Sequence, residues 1–278
     1  MTIGVFLAVL GAALLHAGWN ALVKVGLDRF SSVLLLGLVQ GGIALCLLPW
    51  FGLPPVIAWP WAIGSAVLHS GYKIFLIRAY SHGDLSQVYP LARGTAPMIV
   101  AIAGALFLGE TPSALRIAAI LAIAGGIMLM ASGGPDRRLS RTALLYALAT
   151  AGFTASYTMA DGIGARIAGA ASPFTLAMFV FDGLFMLGFG LATRGSRAVA
   201  ALLPAWRSGV AAGAMSLGSY WIAIWAFTLA PLAMVAALRE TSVLFAMLIA
   251  FLLMREPIPP RRWAAAGLIL VGIVMMRL

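Results

Sequence analysis

Apolar runs of about twenty residues follow one another along almost the whole chain, separated by short polar breaks. At 1.5 Å per residue that length matches the ~30 Å hydrocarbon core of a bilayer. The runs are continuous rather than alternating, so they read as helices and not as barrel strands. Of 278 residues, 63% are hydrophobic and 9% charged, against about 25% charged in soluble domains. The expected fold is an all-α integral membrane protein with ten transmembrane helices. They fall at roughly 3–23, 31–50, 60–80, 85–108, 113–132, 142–163, 172–193, 207–228, 231–254 and 262–277. The first run starts without a basic region before it, which predicts a retained span rather than a cleaved signal.

Two arginines, Arg93 and Arg239, stand inside apolar runs 146 residues apart. The same offset pairs Glu110 with Glu256, Arg116 with Arg262, Thr95 with Thr241, Gly126 with Gly272 and Met130 with Met276. Matches among small apolar residues carry little weight in membrane helices, but three charged matches at one offset indicate duplication. Residues 1–132 and 142–278 are thus predicted to be two five-helix repeats, joined by a linker at 133–141. The displacement is five helices, an odd number, so the copies must cross the membrane in opposite directions. Inverted repeats place a substrate site near the midplane, where the halves meet.

Loop charge reports orientation independently. Loops after odd-numbered spans hold Lys24, Arg29, Arg78, Arg137, Arg138, Arg141, Arg194, Arg197, Arg207, Arg255, Arg261 and Arg262; the other side holds only Arg116, Arg166 and Arg277. The positive-inside rule then puts the odd loops in the cytoplasm and both termini outside, in a multi-pass protein of the cell inner membrane. The net charge of +10 is therefore a topology signal. No basic stripe with interleaved aromatics marks a nucleic-acid surface. The one cysteine, Cys46, permits neither an intrachain disulfide nor a thiolate metal cluster.

Intramembrane charge is expensive and faces a cavity, a partner or a substrate. Arg93 and Arg239 each lie about eight residues into a span, near mid-bilayer, and together suit a clamp on a carboxylate or phosphonate. Internal neutralisation, of Arg239 by Glu240 or Asp182 for instance, is the competing expectation. Glu240 is a candidate for a substrate ammonium or a coupling proton. Asp182, mid-span, is a second coupling candidate or a structural partner for Lys73 or an arginine. Lys73 lies on one face with His69, four residues earlier, too deep to snorkel. His16 and Asn20 of the first span, with Trp19 between them, need hydrogen-bond partners in hydrocarbon. Tyr89, Tyr157 and Tyr220 supply hydroxyl and stacking groups. No carboxylate or thiol accompanies His16 at ligand spacing, so neither a metal nor a cofactor is expected. Pro90, Gly94 and Pro97 predict a broken stretch around Arg93. Glu110 and Glu256, each with proline soon after, read as boundary residues.

The segments Ala96-Pro97 and Leu106-Phe107-Leu108-Gly109-Glu110, with Ala124-Gly125-Gly126-Ile127-Met128-Leu129, resemble the EamA-type members of the drug/metabolite transporter superfamily. The second copy carries Leu252-Leu253-Met254-Arg255-Glu256, Gly267 and Val271-Gly272-Ile273-Val274. The resemblance spans both halves and implies a ten-helix secondary transporter of metabolites such as amino acids, sugars or drugs. It implies cytoplasmic termini in many members, opposite to the charge count here. The stretches Tyr89–Pro97 and Ala237–Ser242 also resemble a bacterial subgroup associated with phosphonate use.

The expected function is alternating-access transport of a small anionic or zwitterionic metabolite, by a monomer or homodimer in contact with membrane lipid, with a coupling proton as a further partner. The buried charges tallied from sequence, Lys73, Arg93 and Arg239 against Asp182 and Glu240, leave a cationic surplus. Export of amino acids or drug-like metabolites is the alternative within the class. An embedded enzyme or channel is the alternative outside it. Gly-x-Ser-x-Gly, His-Glu-x-x-His and P-loop patterns are all absent.

Overall fold

The computed structural model describes the chain except residues 24–27, 83–84, 132–139, 253–254 and 256–257, and, for side chains, also 23, 29, 80–90 and 131. Most of the predicted linker, together with Glu256 and the Tyr89 and Pro90 side chains, therefore lies outside the described residues. Helices account for nearly everything else, and no strand occurs among the described residues. They are α1 (Ile3–Val23), α2 (Arg29–Phe51), α3 (Trp59–His82), α4 (Leu85–Leu108), α5 (Ala114–Ala131) and α6 (Arg141–Ala168). There follow α7 (Ala171–Arg194), the short α8 (Arg197–Ala200), α9 (Trp206–Phe227), α10 (Leu232–Glu240), α11 (Ser242–Leu252) and α12 (Pro260–Arg277). Among the described residues, six segments are long and apolar enough to cross a membrane: Ile3–Leu22, Phe30–Phe51, Leu91–Leu108, Ala171–Arg194, Arg197–Phe227 and Leu232–Leu252.

Two predicted spans differ in a way that matters. Ser140 caps α6, its hydroxyl accepting from Ala143 N at 3.1 Å, and Gly169 ends it in the left-handed region at φ 68°. The helix thus extends five residues past the predicted 163, which moves Asp161 from a helix end into the interior. The predicted ninth span is broken, into α10 and α11, at Thr241. Thr241 Oγ1 donates to Leu238 O at 2.6 Å, the same carbonyl that takes the Thr241 backbone N–H at 3.1 Å. The break expected around Arg93 is absent: α4 runs as one helix through Gly94 and Pro97. A proline removes one donor, and the helix tolerates that when neighbouring helices pack around it.

Contacts between helices repeat when the halves are exchanged. α1 packs on α9 as α3 packs on α6, and α2 on α9 as α3 on α7. α1 meets α10 and α11 as α4 meets α6, while α2 pairs with α7 and α5 with α12. The two self-matching pairs are antiparallel. Along α2 and α7, Asp28 meets Arg194, Gly190 abuts Leu34, and Gly41 abuts Gly183. Along α5 and α12, a Cβ on Gly126 would lie 2.9 Å from Ala265 O, and one on Gly272 would lie 2.8 Å from Ala119 O. Ala119 and Ala265 are themselves 146 residues apart, as are Gly126 and Gly272. Small residues let these backbones approach where lipid supplies no hydrophobic drive for helix association.

Helix ends are tied at both poles. At one, Asp28 caps α2, accepting from Phe30 N and Ser31 N, and pairs with Arg194 at 3.1 Å. Partial burial pushes this carboxyl up, but hydrogen bonds from Arg194 and Ser31 outweigh it and hold the group at about 2 instead of 3.8. At the other pole, Glu110 takes Arg166 at 3.0 Å and the backbone N–H of Leu232 at 2.9 Å. A carboxylate at the N-terminus of α10 complements the helix dipole. Glu110 is thus the boundary residue its position predicts.

Candidate functional site

Eight helices, α1, α2, α3, α4, α6, α7, α9 and α10, enclose a cavity, and no lining residue comes from α5 or α12 among the described residues. Its volume is about 110 Å³, room for several waters or one small organic ion. Of the residues singled out from sequence, Arg93, Arg239, Lys73, Tyr157, His16 and Tyr220 line it. Glu240 and Asp182 stand behind the wall as partners of lining cations. Asn20 does not line it, because its Nδ2 donates back to His16 O at 2.8 Å on the same helix.

The buried cations are not equivalent. Lys73 pairs with Asp182, which also accepts from Ser70 Oγ at 3.0 Å. Arg93 pairs with Glu240, Nε to Oε2 at 2.5 Å, across the two halves. Both pairs are more than nine-tenths buried. Arg239, only 7% exposed, forms no ion pair among the described residues; its guanidinium lies 4.5 Å from the Tyr220 ring centroid. The geometric reason is the repeat itself. Glu240 follows Arg239 directly, so their side chains point about 100° apart on the helix and Glu240 turns toward the other half. A clamp made by two free guanidiniums is therefore not what forms: one arginine is neutralised within the protein and one is open.

Asp161 is absent from the sequence-based tally, and it changes the charge count. It is fully buried on α6 and accepts from Ser65 Oγ, Tyr220 Oη and His69 Nε2, the last at 3.1 Å. The buried charged groups are then Lys73, Arg93 and Arg239 against Asp161, Asp182 and Glu240. The expected cationic surplus is corrected to a formal balance with neutral histidines. The signal that could have found Asp161 is the dipeptide Asp161-Gly162, which repeats the mid-helix Asp182-Gly183.

An aromatic shell holds the network. His69 stacks on Tyr157 at 3.9 Å and meets Tyr220 edge-on at 4.9 Å. Two lining residues carry buried polar atoms with no partner: Trp19 Nε1, a donor, and Gln40 Oε1, an acceptor. Gln40 is anchored through Nε2 to Ser216 Oγ at 2.9 Å. Buried polar atoms left unsatisfied cost about 1–3 kcal/mol each, and both of these belong to residues that line the cavity. No cluster of three metal-ligating side chains occurs among the described residues.

Comparison with known proteins agrees with this architecture. No curated protein matches the sequence significantly. A solved crystal structure, described only as that of a protein, is 15% identical and superposes with a TM-score of 0.78, covering 99% of this chain and 98% of its own; that likeness concerns the fold alone. The EamA-like transporter family matches residues 2–132 and again 141–278, one match to each half. The match names the family and no subgroup. The chain, a membrane protein of two similar halves, belongs to the EamA-like transporter family.

Proposed function

We infer that the protein is a secondary carrier of small anionic or zwitterionic solutes, working by alternating access. In this reading the helices form ten membrane spans, α10 and α11 making one between them, as two inverted five-helix repeats in the cell inner membrane. The termini lie outside, following the loop charges. The observation that carries the reading is Arg239: a buried guanidinium on a cavity between the halves, without a carboxylate of its own. An incoming anion supplies the missing counter-charge. Trp19 Nε1 donates to the same anion or its neighbour, and Gln40 Oε1 accepts from an ammonium or hydroxyl on the solute. The antiparallel, exchangeable packing of the halves suits rocking about the cavity.

The experiment is uptake into sealed proteoliposomes of radiolabelled isethionate, a small anion, and β-alanine, a small zwitterion. A carrier gives saturable uptake accelerated by the same solute on the far side. Ohmic current without saturation makes the protein a channel instead, and chemical conversion of either probe makes it an enzyme.

A further inference from the structure

The His69–Asp161 pair stands beside the open arginine, and its hydrogen-bond valences are nearly all used. Asp161 accepts from two hydroxyls, Ser65 on one oxygen and Tyr220 on the other. Both are donors in this geometry, so the carboxylate is the acceptor form and His69 Nε2 completes its shell as a third donor. That assigns the proton of neutral His69 to Nε2 and leaves Nδ1 as the vacant valence, on a ring that lines the cavity. Tyr220 joins the pair to the anion site, because its hydroxyl holds Asp161 while its ring lies under Arg239.

Charge arithmetic gives this arrangement a consequence. Lys73 of α3 cancels Asp182 of α7, and Arg93 of α4 cancels Glu240 of α10. That leaves Arg239 of α10 balanced by Asp161 of α6 across Tyr220 of α9, with Tyr157 and His16 neutral. The empty site is formally neutral. A bound monoanion makes it −1, and a net charge at bilayer depth is expensive to move. A proton on His69 Nδ1 restores neutrality without breaking an existing pair, and of the two lining histidines His69 is the one that has a carboxylate, Asp161, to counter it among the described residues.

Resting on the carrier reading, we propose that the His69–Asp161 pair is a proton-binding site, and that the protein moves a monoanion on Arg239 together with one proton on His69 as an electroneutral symporter. Asp161 is a positioning residue: it touches neither solute nor cavity and acts by fixing the His69 tautomer and countering the imidazolium. A zwitterion, already neutral, needs no such proton.

The test uses the full chain in proteoliposomes with isethionate, whose sulfonate stays ionised, so that any accompanying proton is held by the protein. One-to-one coupling predicts that an inward pH gradient of about one unit raises accumulation about tenfold. A negative-inside potassium diffusion potential leaves isethionate uptake unchanged, since the loaded carrier is neutral. In Asp161→Asn the ratio of uptake with the gradient to uptake without it falls to one, whatever the absolute rate. Because the wild-type measurements decide the matter alone, misfolding of that variant does not obscure it. Saturable uptake that ignores the pH gradient, or that the negative-inside potential suppresses several-fold, overturns the proton site and leaves the carrier standing. Absence of saturable uptake of both isethionate and β-alanine overturns the carrier reading, and the proton site with it.

Discussion

Arg93 and Arg239 occupy the same position in the two repeats, yet among the described residues only Arg93 has a carboxylate, because Glu240 closes on its Nε at 2.5 Å while Arg239 rests on the Tyr220 ring. The position in the first half that matches Glu240 is Gly94. Duplication therefore made two buried cations, and a single glycine-to-glutamate difference separates their roles. One guanidinium ties the halves together and the other lines the cavity against the Tyr220 ring.

Arg239→Gln removes the anion's charged partner without breaking an ion pair, and Asp161 keeps its donors Ser65, Tyr220 and His69. The affected hydrogen bonds are worth about 1.5–3 kcal/mol, so KM for isethionate rises roughly 10- to 150-fold. The thermal unfolding midpoint in detergent stays within a few degrees of wild type. An unchanged KM places the anion elsewhere.

Arg93→Gln behaves in the opposite way. It strands Glu240 in the interior, and breaking a buried pair from one side destabilises by about 3–5 kcal/mol. Removing both charges in Arg93→Gln/Glu240→Gln recovers most of that loss. Thermal unfolding of the two single variants and the double variant completes the cycle. Strictly additive losses would mean that the pair does not form.

Gly126→Ala is expected to weaken the α5–α12 seam, because its Cβ would stand 2.9 Å from Ala265 O and 2.5 Å from Ile269 Cγ1. Overpacking of that kind destabilises by about 1–3 kcal/mol. Gly125→Ala is the control, since its Cβ meets only Leu268 at 3.8 Å. Equal midpoints for the two variants in a detergent melt would refute the close approach.

The Asp28–Arg194 link gives a pH dependence with a definite sign. The folded carboxyl titrates at about 2 against 3.8 when free. Its contribution is fully present above 3.8 and is lost as pH falls from there through about 2. The pair is about half exposed, so solvent screening limits the effect to below about 1 kcal/mol. Unfolding midpoints measured from about pH 5 downward should fall more steeply for wild type than for Arg194→Gln.

Orientation is tested at the C-terminus. The loop charges predict that a reporter fused after Leu278 lies on the periplasmic side. A strong cytoplasmic signal reverses the assignment, in line with what the family resemblance implies for many members.

Particular residues mark how far the sequence could be read. The offset that joins Arg93 to Arg239 also relates the seam glycines Gly126 and Gly272, so duplication was visible one residue at a time. Lys73 and Asp182 were each singled out as deep charges, with Lys73 among the named partners, because a lone charge in an apolar run must find one. Asp161 was missed because apolar periodicity ended the sixth span at 163, and a carboxylate two residues from a helix end needs no explanation. The break at Thr241 was missed for a related reason: prolines advertise a broken helix, and the break came in the copy without them.

The amino-acid sequence by itself determined that this chain is helical, duplicated and charged at mid-span, since hydrocarbon admits only internally hydrogen-bonded segments and repeats leave a fixed offset. Only the tertiary structure decided which charge answers which. Pairing depends on the direction in which each side chain leaves its helix and on which helix stands opposite, and an offset along the chain carries neither. Hence one arginine joins the halves, the other lines the cavity with no ion pair among the described residues, and an aspartate near the predicted end of its span is fully buried.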